Sequence, residues 1–372
     1  MTSRPILTRD TDALWRDMGA DYLRLVPEAL QGRAFDDRYT QLCESEMRRR
    51  SGRRHAFMCH SGSAALQLAM LALDVGPGRE VICPNYGYVA SVNQVNVVGA
   101  TPRFVEVDRH GHIDVDQVER EIHTNTRAIV AVGLYGDNPD LDRLTQIAHQ
   151  HGVALINDAA QSNFGRFRGR TQDQYGDVVC YSFGNNKLAS TFVTYGCIAT
   201  DDDDLAERIR LTRTHGKRGR DHDIKWVGIN SQPHEDKCLQ AWLALERVDG
   251  WIARRQEIGR RYDSAFEAAG VAHRRVAPDC ESVRSKYAVF FQDRDRAHDL
   301  LLAEGIHTEK HYRDNFGKGV LAHHRLEHTP NTDHYTRSSL SIPMQAYLTD
   351  EEVDRVIRSV IRHSDADVNT HR

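Results

Sequence analysis

The 372-residue sequence lacks the features that mark secreted, membrane-spanning or nucleic-acid-binding proteins. Its seven cysteines are odd in number and irregularly spaced, so they do not predict a disulfide framework. No apolar stretch approaches the roughly 20 residues that cross a bilayer, and the first residues lack the apolar core of a signal peptide. The net charge of -4 is small for this length, which argues against nucleic acid as a partner. We therefore expect a cytoplasmic protein in a reducing compartment, with no membrane partner.

Several ligand-binding motifs are missing as well. No Gly-x-Gly-x-x-Gly follows a strand and no Gly-Lys-Ser/Thr phosphate loop occurs, so the sequence gives little support to a dinucleotide dehydrogenase or an ATPase. The histidines between residues 323 and 328 are not accompanied by a cysteine or carboxylate pattern that completes a metal site. No metal is predicted.

What the sequence does contain is an alternation of short apolar runs with longer amphipathic stretches, after a helical segment from residue 12 to about residue 50. This alternation predicts βα units and a mainly parallel sheet, which is the α/β class. Because single cores stop growing at about 250 to 300 residues, we expect two domains, 1–245 and 246–372, joined by a long helix at 238–268. The strands predicted for the larger domain are 80–84, 103–107, 127–133, 153–157, 178–183 and 197–200.

Two local patterns point to a binding site. Gly62 and Ser63 stand at the start of a helical pattern, where free backbone amides can bind a phosphate, although such residues more often form an ordinary helix cap. Asp158 follows the predicted strand 153–157, and open parallel sheets place their ligand crevice at such carboxyl ends. By itself, an aspartate there is as often a turn or cap residue. The order Asp158-Ala159-Ala160-Gln161, then Ser182-Phe183-x-x-x-Lys187, is far more specific than either pattern.

This ordered set resembles the DegT/DnrJ/StrS family of sugar aminotransferases, which depend on pyridoxal 5'-phosphate. The resemblance runs from about residue 55 to residue 361 and includes the segments 62–66, 84–88 and 348–353. It implies the fold type I of such transferases: a large domain with a mainly parallel seven-stranded sheet between helices, and a smaller C-terminal α/β domain.

The resemblance also implies roles for individual residues. Lys187 would hold the cofactor as a Schiff base, Asp158 would pair with its pyridine nitrogen, and Gln161 would lie beside its ring hydroxyl. Further implied cofactor contacts are Gly62, Ser63 and Ser182 at the phosphate, Tyr88 stacked on the ring, and Asn230 reaching the cofactor of the other subunit. The last contact implies a homodimer with shared active sites.

The chemistry explains why the site needs these residue types. A lysine amine must be neutral to attack an aldehyde, and a desolvated site lowers its pKa toward that state. An ionised aspartate keeps the pyridine nitrogen protonated, so that the ring accepts the electron pair released at the substrate carbon. The freed Lys187 amine is then the natural base for moving a proton.

Substrate contacts are predicted at His215, His311 and Tyr312. His215 precedes the basic run 217–220 in a loop, and a solvent-exposed loop without a substrate role is the simpler interpretation. His311 and Tyr312 match a His-Tyr pair that approaches the active site from the small domain in relatives. The segment 193–196 departs from the Gly-Glu-Gly-Gly turn that is usual in the family, which points to an altered substrate pocket.

Three functions are compatible with these residues. The favoured one is an aminotransferase that moves an amino group from L-glutamate or L-glutamine to a keto group of a sugar, nucleotide-linked or not, a cyclitol or a related metabolite. The second is a lyase, dehydratase or replacement enzyme that acts on an amino acid or another non-sugar substrate with the same cofactor. The third is a protein without activity, either a cofactor-binding regulator or a partner subunit for an active relative, which the complete set of Asp158, Gln161, Ser182 and Lys187 disfavours. Retention of Lys187 also argues against the dehydratases of this scaffold, which carry histidine there.

Overall fold

The computed structural model describes residues 4–31, 37–218, 223–323 and 325–369, with side chains described up to residue 364. Its helices are α1 (Thr11–Gln31), α2 (Arg38–Ser51), α3 (Gly62–Ala72), α4 (Ala90–Val97), α5 (Val115–Arg120), α6 (Leu141–His151), α7 (Asp203–Thr212), α8 (Glu235–Ala269), α9 (Arg294–Ala303), α10 (Pro330–Ser338) and α11 (Asp350–Asn369). Its strands are β1 (His55–Cys59), β2 (Glu80–Pro84), β3 (Thr101–Val105), β4 (Thr126–Val132), β5 (Ala154–Asp158), β6 (Arg166–Phe167), β7 (Arg170–Thr171), β8 (Val178–Phe183), β9 (Tyr195–Thr200), β10 (Lys217–Arg218), β11 (Asp223–Ile224), β12 (Cys280–Glu281), β13 (Tyr287–Phe290) and β14 (Ser339–Ile342).

Seven of these strands form the central sheet, in the order β1-β9-β8-β5-β4-β2-β3. All neighbouring pairs are parallel except those of β9, which runs antiparallel to both β1 and β8. This confirms the predicted α/β class and the mainly parallel seven-stranded sheet. The six strands predicted for it lie within two residues of their observed bounds, whereas β1 was not predicted.

Apolar side chains cover both faces of the sheet. On β8, Val178 and Cys180 pack into the core beneath α3, while Val179 and Tyr181 pack into the core beneath α8. Successive side chains of a strand point to opposite faces, so a strand buried on both sides is apolar throughout. This explains why these strands were readable as continuous apolar runs.

Helix α8 joins the central sheet to a separate core in the C-terminal part of the chain. Its first half contributes Leu243 to the core of the sheet, and its second half contributes Tyr262 to a core shared with β13, β14 and α11. The predicted boundary between residues 245 and 246 falls within this helix. From the two cores we propose the two-domain division, with Ile6 added to the smaller unit because it bridges to Ile306. Within the described ranges, no helix is both long enough and apolar enough to cross a bilayer.

A buried ion pair ties the segment after α8 back to the sheet. Arg274 donates from Nη2 to Asp137 Oδ1 at 2.6 Å and from Nη1 to Asp137 Oδ2 at 3.2 Å, and both side chains are buried. The backbone amide of Ala277 donates to Asp137 as well, at 2.7 Å. Planar, bidentate pairing of this kind compensates two charges that would be costly to bury alone.

Candidate active site

A cavity of about 350 Å³ lies where β5 and β8 end, against the N-terminus of α3. This volume is in the range of pockets that hold small ligands and cofactors. Nine of the residues predicted from the sequence line it, namely Gly62, Ser63, Tyr88, Asp158, Gln161, Ser182, Lys187, His311 and Tyr312. Among the described residues, no group of three or more histidine, cysteine or acidic side chains is arranged to hold a metal ion.

The N-terminus of α3 forms one end of the cavity. Ser61 caps the helix by accepting a hydrogen bond from the Ala64 amide at 3.1 Å, while the amides of Gly62 and Ser63 have no partner within the described part of the chain. A Cβ atom on residue 62 would lie 2.6 Å from Ser182 Cβ, so only glycine lets the helix come this close to β8. Unpaired amides, the helix dipole and the neighbouring Ser182 hydroxyl suit a phosphate group.

The buried carboxylate of Asp158 lies on the floor of the cavity. Its Oδ2 accepts a hydrogen bond from Ser91 Oγ at 2.6 Å, and its Oδ1 accepts one from the Ala160 amide at 3.1 Å. Burial raises the pKa of Asp158, and these hydrogen bonds and the positive charge of Lys187 oppose that rise. A protonated pyridine nitrogen would add a cationic partner and favour the ionised carboxylate further. Ser91 was not predicted, because nothing near it in the sequence marks it.

Lys187 lies in the loop that follows β8. Its half-buried side chain places Nζ 5.6 Å from the centroid of the Tyr88 ring. Burial lowers the pKa of Lys187, and the attraction of Asp158 only partly offsets this. The lowered pKa increases the fraction of neutral amine, which is the form that attacks an aldehyde. These properties match the predicted role of Lys187, and the ring of Tyr88 stands where a flat ligand could stack.

Gln161 and Tyr312 close the cavity from two parts of the chain. Gln161 Nε2 donates to Tyr312 Oη at 3.0 Å. The Tyr312 amide in turn donates to the hydroxyl of buried Tyr86 at 2.7 Å, and that hydroxyl donates to the His311 carbonyl at 2.5 Å. The predicted His-Tyr pair therefore does reach the cavity, positioned through Tyr86, which the sequence did not reveal.

The ring of His311 is held on both nitrogen atoms. Nδ1 lies 2.9 Å from Ser341 Oγ, and Nε2 lies 2.9 Å from a carboxylate oxygen of Glu309. Burial lowers the pKa of His311, although Glu309 acts in the opposite direction. With both nitrogen atoms engaged, His311 is better suited to shape the cavity wall than to exchange protons with a substrate.

His215 and Asn230 do not line the cavity in the single chain. They are neighbours on an exposed loop pair, where Asn230 bridges to Thr214 and the His215 amide donates to the Ile229 carbonyl at 3.0 Å. Residues 219–222 of the predicted basic loop lie outside the described residues. The predicted contact of Asn230 with another subunit's cofactor stays a prediction.

A second, smaller cavity of about 50 Å³ adjoins the first and shares Asn185, Asn186, Lys286 and His311 with it. Lys286 was not predicted, yet it faces both cavities. Burial and the nearby charge of Lys187 lower the pKa of Lys286 to about 7. Two lysines of altered acidity thus share the larger cavity.

The residues present fit pyridoxal phosphate: an amide cup for its phosphate, a carboxylate for its ring nitrogen and an amine for its aldehyde. Comparison with known proteins agrees. The DegT/DnrJ/EryC1/StrS aminotransferase family model matches residues 17–361. The dTDP-3-amino-3,4,6-trideoxy-alpha-D-glucose transaminase of Streptomyces venezuelae is 34% identical over 95% of this chain and 92% of its own. The UDP-2-acetamido-2-deoxy-3-oxo-D-glucuronate aminotransferase of Pseudomonas aeruginosa is 34% identical over 80% and 83%.

The likeness extends to the three-dimensional structure. The crystal structure of DesV from S. venezuelae in complex with a ketimine intermediate superposes with a TM-score of 0.93 at 31% identity, over 98% of this chain and 99% of that one. An aminotransferase of the same family from Brucella abortus gives a TM-score of 0.91 at 26% identity, over 96% and 99%.

Proposed function

The chain belongs to the DegT/DnrJ/EryC1/StrS aminotransferase family and is a pyridoxal-phosphate-dependent aminotransferase, and from this premise we propose the substrates and the residues that act on them. The amino donor is L-glutamate or L-glutamine, and the acceptor is a keto group on a nucleotide-linked sugar. The observation that carries the proposal is the convergence of Lys187, Asp158 and the free amides of α3 on one cavity. The nucleotide-sugar transaminases among the relatives support this choice of acceptor.

Each residue of the cavity has a distinct task in this proposal. The amides of Gly62 and Ser63, with the Ser182 hydroxyl, hold the cofactor phosphate, and Asp158 pairs with the ring nitrogen. When bound there, the cofactor supplies an aldehyde for the amine and a ring that accepts electrons. Lys187 Nζ, whose pKa is lowered by burial, takes a proton from the donor carbon and, in the second half of the reaction, delivers a proton to the acceptor carbon.

Ser91 and the Tyr86 network act by positioning. The hydrogen bond from Ser91 keeps the Asp158 carboxylate oriented and resists its protonation. Tyr86 holds the chain at Tyr312, so that this ring covers the cavity beside Gln161. A closed and partly dehydrated cavity strengthens the interaction between Asp158 and a positive ring nitrogen.

We propose a homodimer with shared active sites, located in the cytoplasm. Asn230 and His215 are exposed and lie away from the cavity of their own chain, which supports a role toward a second copy. Mixing Lys187→Ala with Asn230→Ala subunits tests this. If sites are shared, each mixed dimer holds one intact site and regains up to half of the wild-type activity. If each chain builds its own site, mixing restores nothing.

The test of the chemistry is the visible absorption spectrum of the protein with pyridoxal phosphate, before and after L-glutamate or L-glutamine. We expect a yellow band that depends on Lys187 and disappears when the donor is added. Lys187→Ala should abolish the band. Lys286→Met is the matched control, because it removes the other lysine of the same cavity and should leave the band in place.

The same experiment separates the favoured reaction from its alternative. Transamination regenerates the band only when a keto acceptor is supplied. Release of ammonia or carbon dioxide from the amino acid without an acceptor would instead indicate a lyase, which the relatives do not favour. Absence of any Lys187-dependent band would contradict the assignment of the cofactor site.

A further inference from the structure

The small cavity beside the cofactor pocket is lined by two cations. Arg255 and Lys286 both face it, and Lys286 also faces the larger cavity that contains Lys187. Leu14, Trp251 and Tyr347 form its apolar side. The cavity is therefore a side chamber of the active site and lies between the two cores that α8 joins.

Among the residues that the structure describes, no carboxylate forms an ion pair with either cation. Lys286 Nζ makes no hydrogen bond or ion pair within the described part of the chain. Arg255 is buried and donates from Nη1 to the carbonyls of Met344, at 2.7 Å, and Ser285, at 3.2 Å, but no carboxylate of the described residues pairs with it. An uncompensated cation away from water is costly, so such a pair of side chains favours an anion.

The acidic residues that line the chamber are already engaged. Glu309 accepts from Thr8 Oγ1 at 2.9 Å and pairs with His311 Nε2 at 2.9 Å. Asp10 caps the start of α1 through the Ala13 amide at 2.8 Å. Neither carboxylate lies within ion-pair distance of Lys286. Glu309 attracts the positive charge of Lys286 only from a distance, so a bound anion in the chamber would be the first group to pair with the Lys286 ammonium directly.

The size of the chamber indicates which molecule this is. One water needs about 10–15 Å³ of such space, so about 50 Å³ holds a group of a few atoms and excludes a nucleotide. An amino donor carries a carboxylate within a few bonds of its amine, and its amine must reach the cavity of Lys187. The sugar acceptor, with its bulky nucleotide, must enter by another side.

Resting on the proposed function, we propose that Lys286 binds a carboxylate of the amino donor. Arg255, on the side of the chamber away from the larger cavity, adds positive charge to this site. Lys286 thus is a specificity residue for the donor half of the reaction. It selects amino acids over amines that lack a carboxylate, and it orients the amino group of the donor toward Lys187. The binding energy comes from a charge-assisted hydrogen bond in a partly dehydrated chamber.

The first test measures binding without turnover. Glutarate, a dicarboxylate without an amine, is titrated calorimetrically into the cofactor-loaded wild type, Lys286→Met and Lys286→Arg. We expect the Kd to rise about 10-fold or more for Lys286→Met, as for loss of a hydrogen bond to a charged group, and to change less for Lys286→Arg. The Lys187-dependent absorption band verifies that each variant is folded and loaded.

The second test follows the half-reaction at increasing donor concentration. Lys286→Met should raise the apparent Kd of the donor and change the limiting rate less than the Kd. An equal loss with L-glutamate and L-glutamine identifies the α-carboxylate as the bound group. A loss with L-glutamate alone identifies the side-chain carboxylate. Both results support a carboxylate site at Lys286.

Other results overturn the proposal. They are absence of glutarate binding to the wild type, an unchanged Kd in Lys286→Met, or an effect confined to the KM of the sugar acceptor. The proposed function fails in a different way, through a wild-type band that neither donor removes. Glutarate binding that depends on Lys286 can be measured in either case, so the two failures are distinguishable.

Discussion

The contact between Gly62 and Ser182 makes a sharp prediction about cofactor affinity. In a Gly62→Ala variant the new Cβ would lie 2.6 Å from Ser182 Cβ, 2.8 Å from Ser182 Oγ and 3.4 Å from Ser182 Cα. Ser182 is held in β8 by its pairing with Gly196 of β9, so we expect the N-terminus of α3 to move instead. We expect the cofactor-free protein to tolerate this shift of the helix. A bound phosphate, however, requires the Gly62 and Ser63 amides in their present positions. The cost of such overpacking, about 1–3 kcal/mol, therefore falls mainly on the bound form.

That cost corresponds to a Kd for pyridoxal phosphate about 5-fold to 150-fold higher than in the wild type. Titration of the cofactor-free protein, followed by the visible band or by quenching of tryptophan fluorescence, measures it. Gly250→Ala is the matched control, since a Cβ there, within α8, meets nothing within 4 Å. This control should leave the Kd unchanged and stabilise the protein by about 0.5–1 kcal/mol. A Gly62→Ala protein that binds the cofactor within twofold of the wild type would refute the reasoning.

Further predictions concern the carboxylates. Ser91→Ala removes the 2.6 Å hydrogen bond to Asp158, so the limiting rate of the donor half-reaction should fall with little change in donor Kd, as stopped-flow absorbance can show. Asp137→Asn leaves Arg274 buried without its counter-charge and should lower the free energy of unfolding by about 3–5 kcal/mol in urea titrations. Asp354→Asn, at an exposed ion pair, should cost under about 1 kcal/mol. Burial raises the pKa of Asp137, but Arg274 outweighs this and holds it below its ordinary range, so the pair stabilises the fold above about pH 4 and progressively less below it. The melting temperature of the wild type should therefore fall more steeply on acidification than that of Asp137→Asn.

Much of the larger domain was readable because its signals are local. Strands buried on both faces must be apolar throughout, so six of the seven strands appeared as short apolar runs. The missed strand β1 has only four apolar residues, 56–59, directly after two arginines and a histidine, and so short a run is hard to recognise although it packs into the cores on both faces of the sheet. The antiparallel direction of β9 left no trace in the sequence, because strand direction depends on how the connecting loop returns.

The candidate site divides in the same way. Lys187, Asp158 and the start of α3 stand in short motifs of fixed spacing, so a sequence alone is enough to propose them. Ser91 and Lys286 do not belong to any such motif. Ser91 reaches Asp158 across 67 positions, and Lys286 lies almost 100 residues beyond Lys187, at the start of β13.

The sequence by itself therefore determined the class of the fold, the order of its elements and the chemical groups at its centre. Periodicity, capping residues and motif spacing act over a few residues and can be read directly. Only the tertiary structure decided that Lys286 forms no ion pair among the described residues, that His311 is held on both ring nitrogen atoms, and that Lys187 is dehydrated enough to lose its proton more readily. Desolvation and charge pairing depend on which distant segments pack together, and no local pattern contains that information.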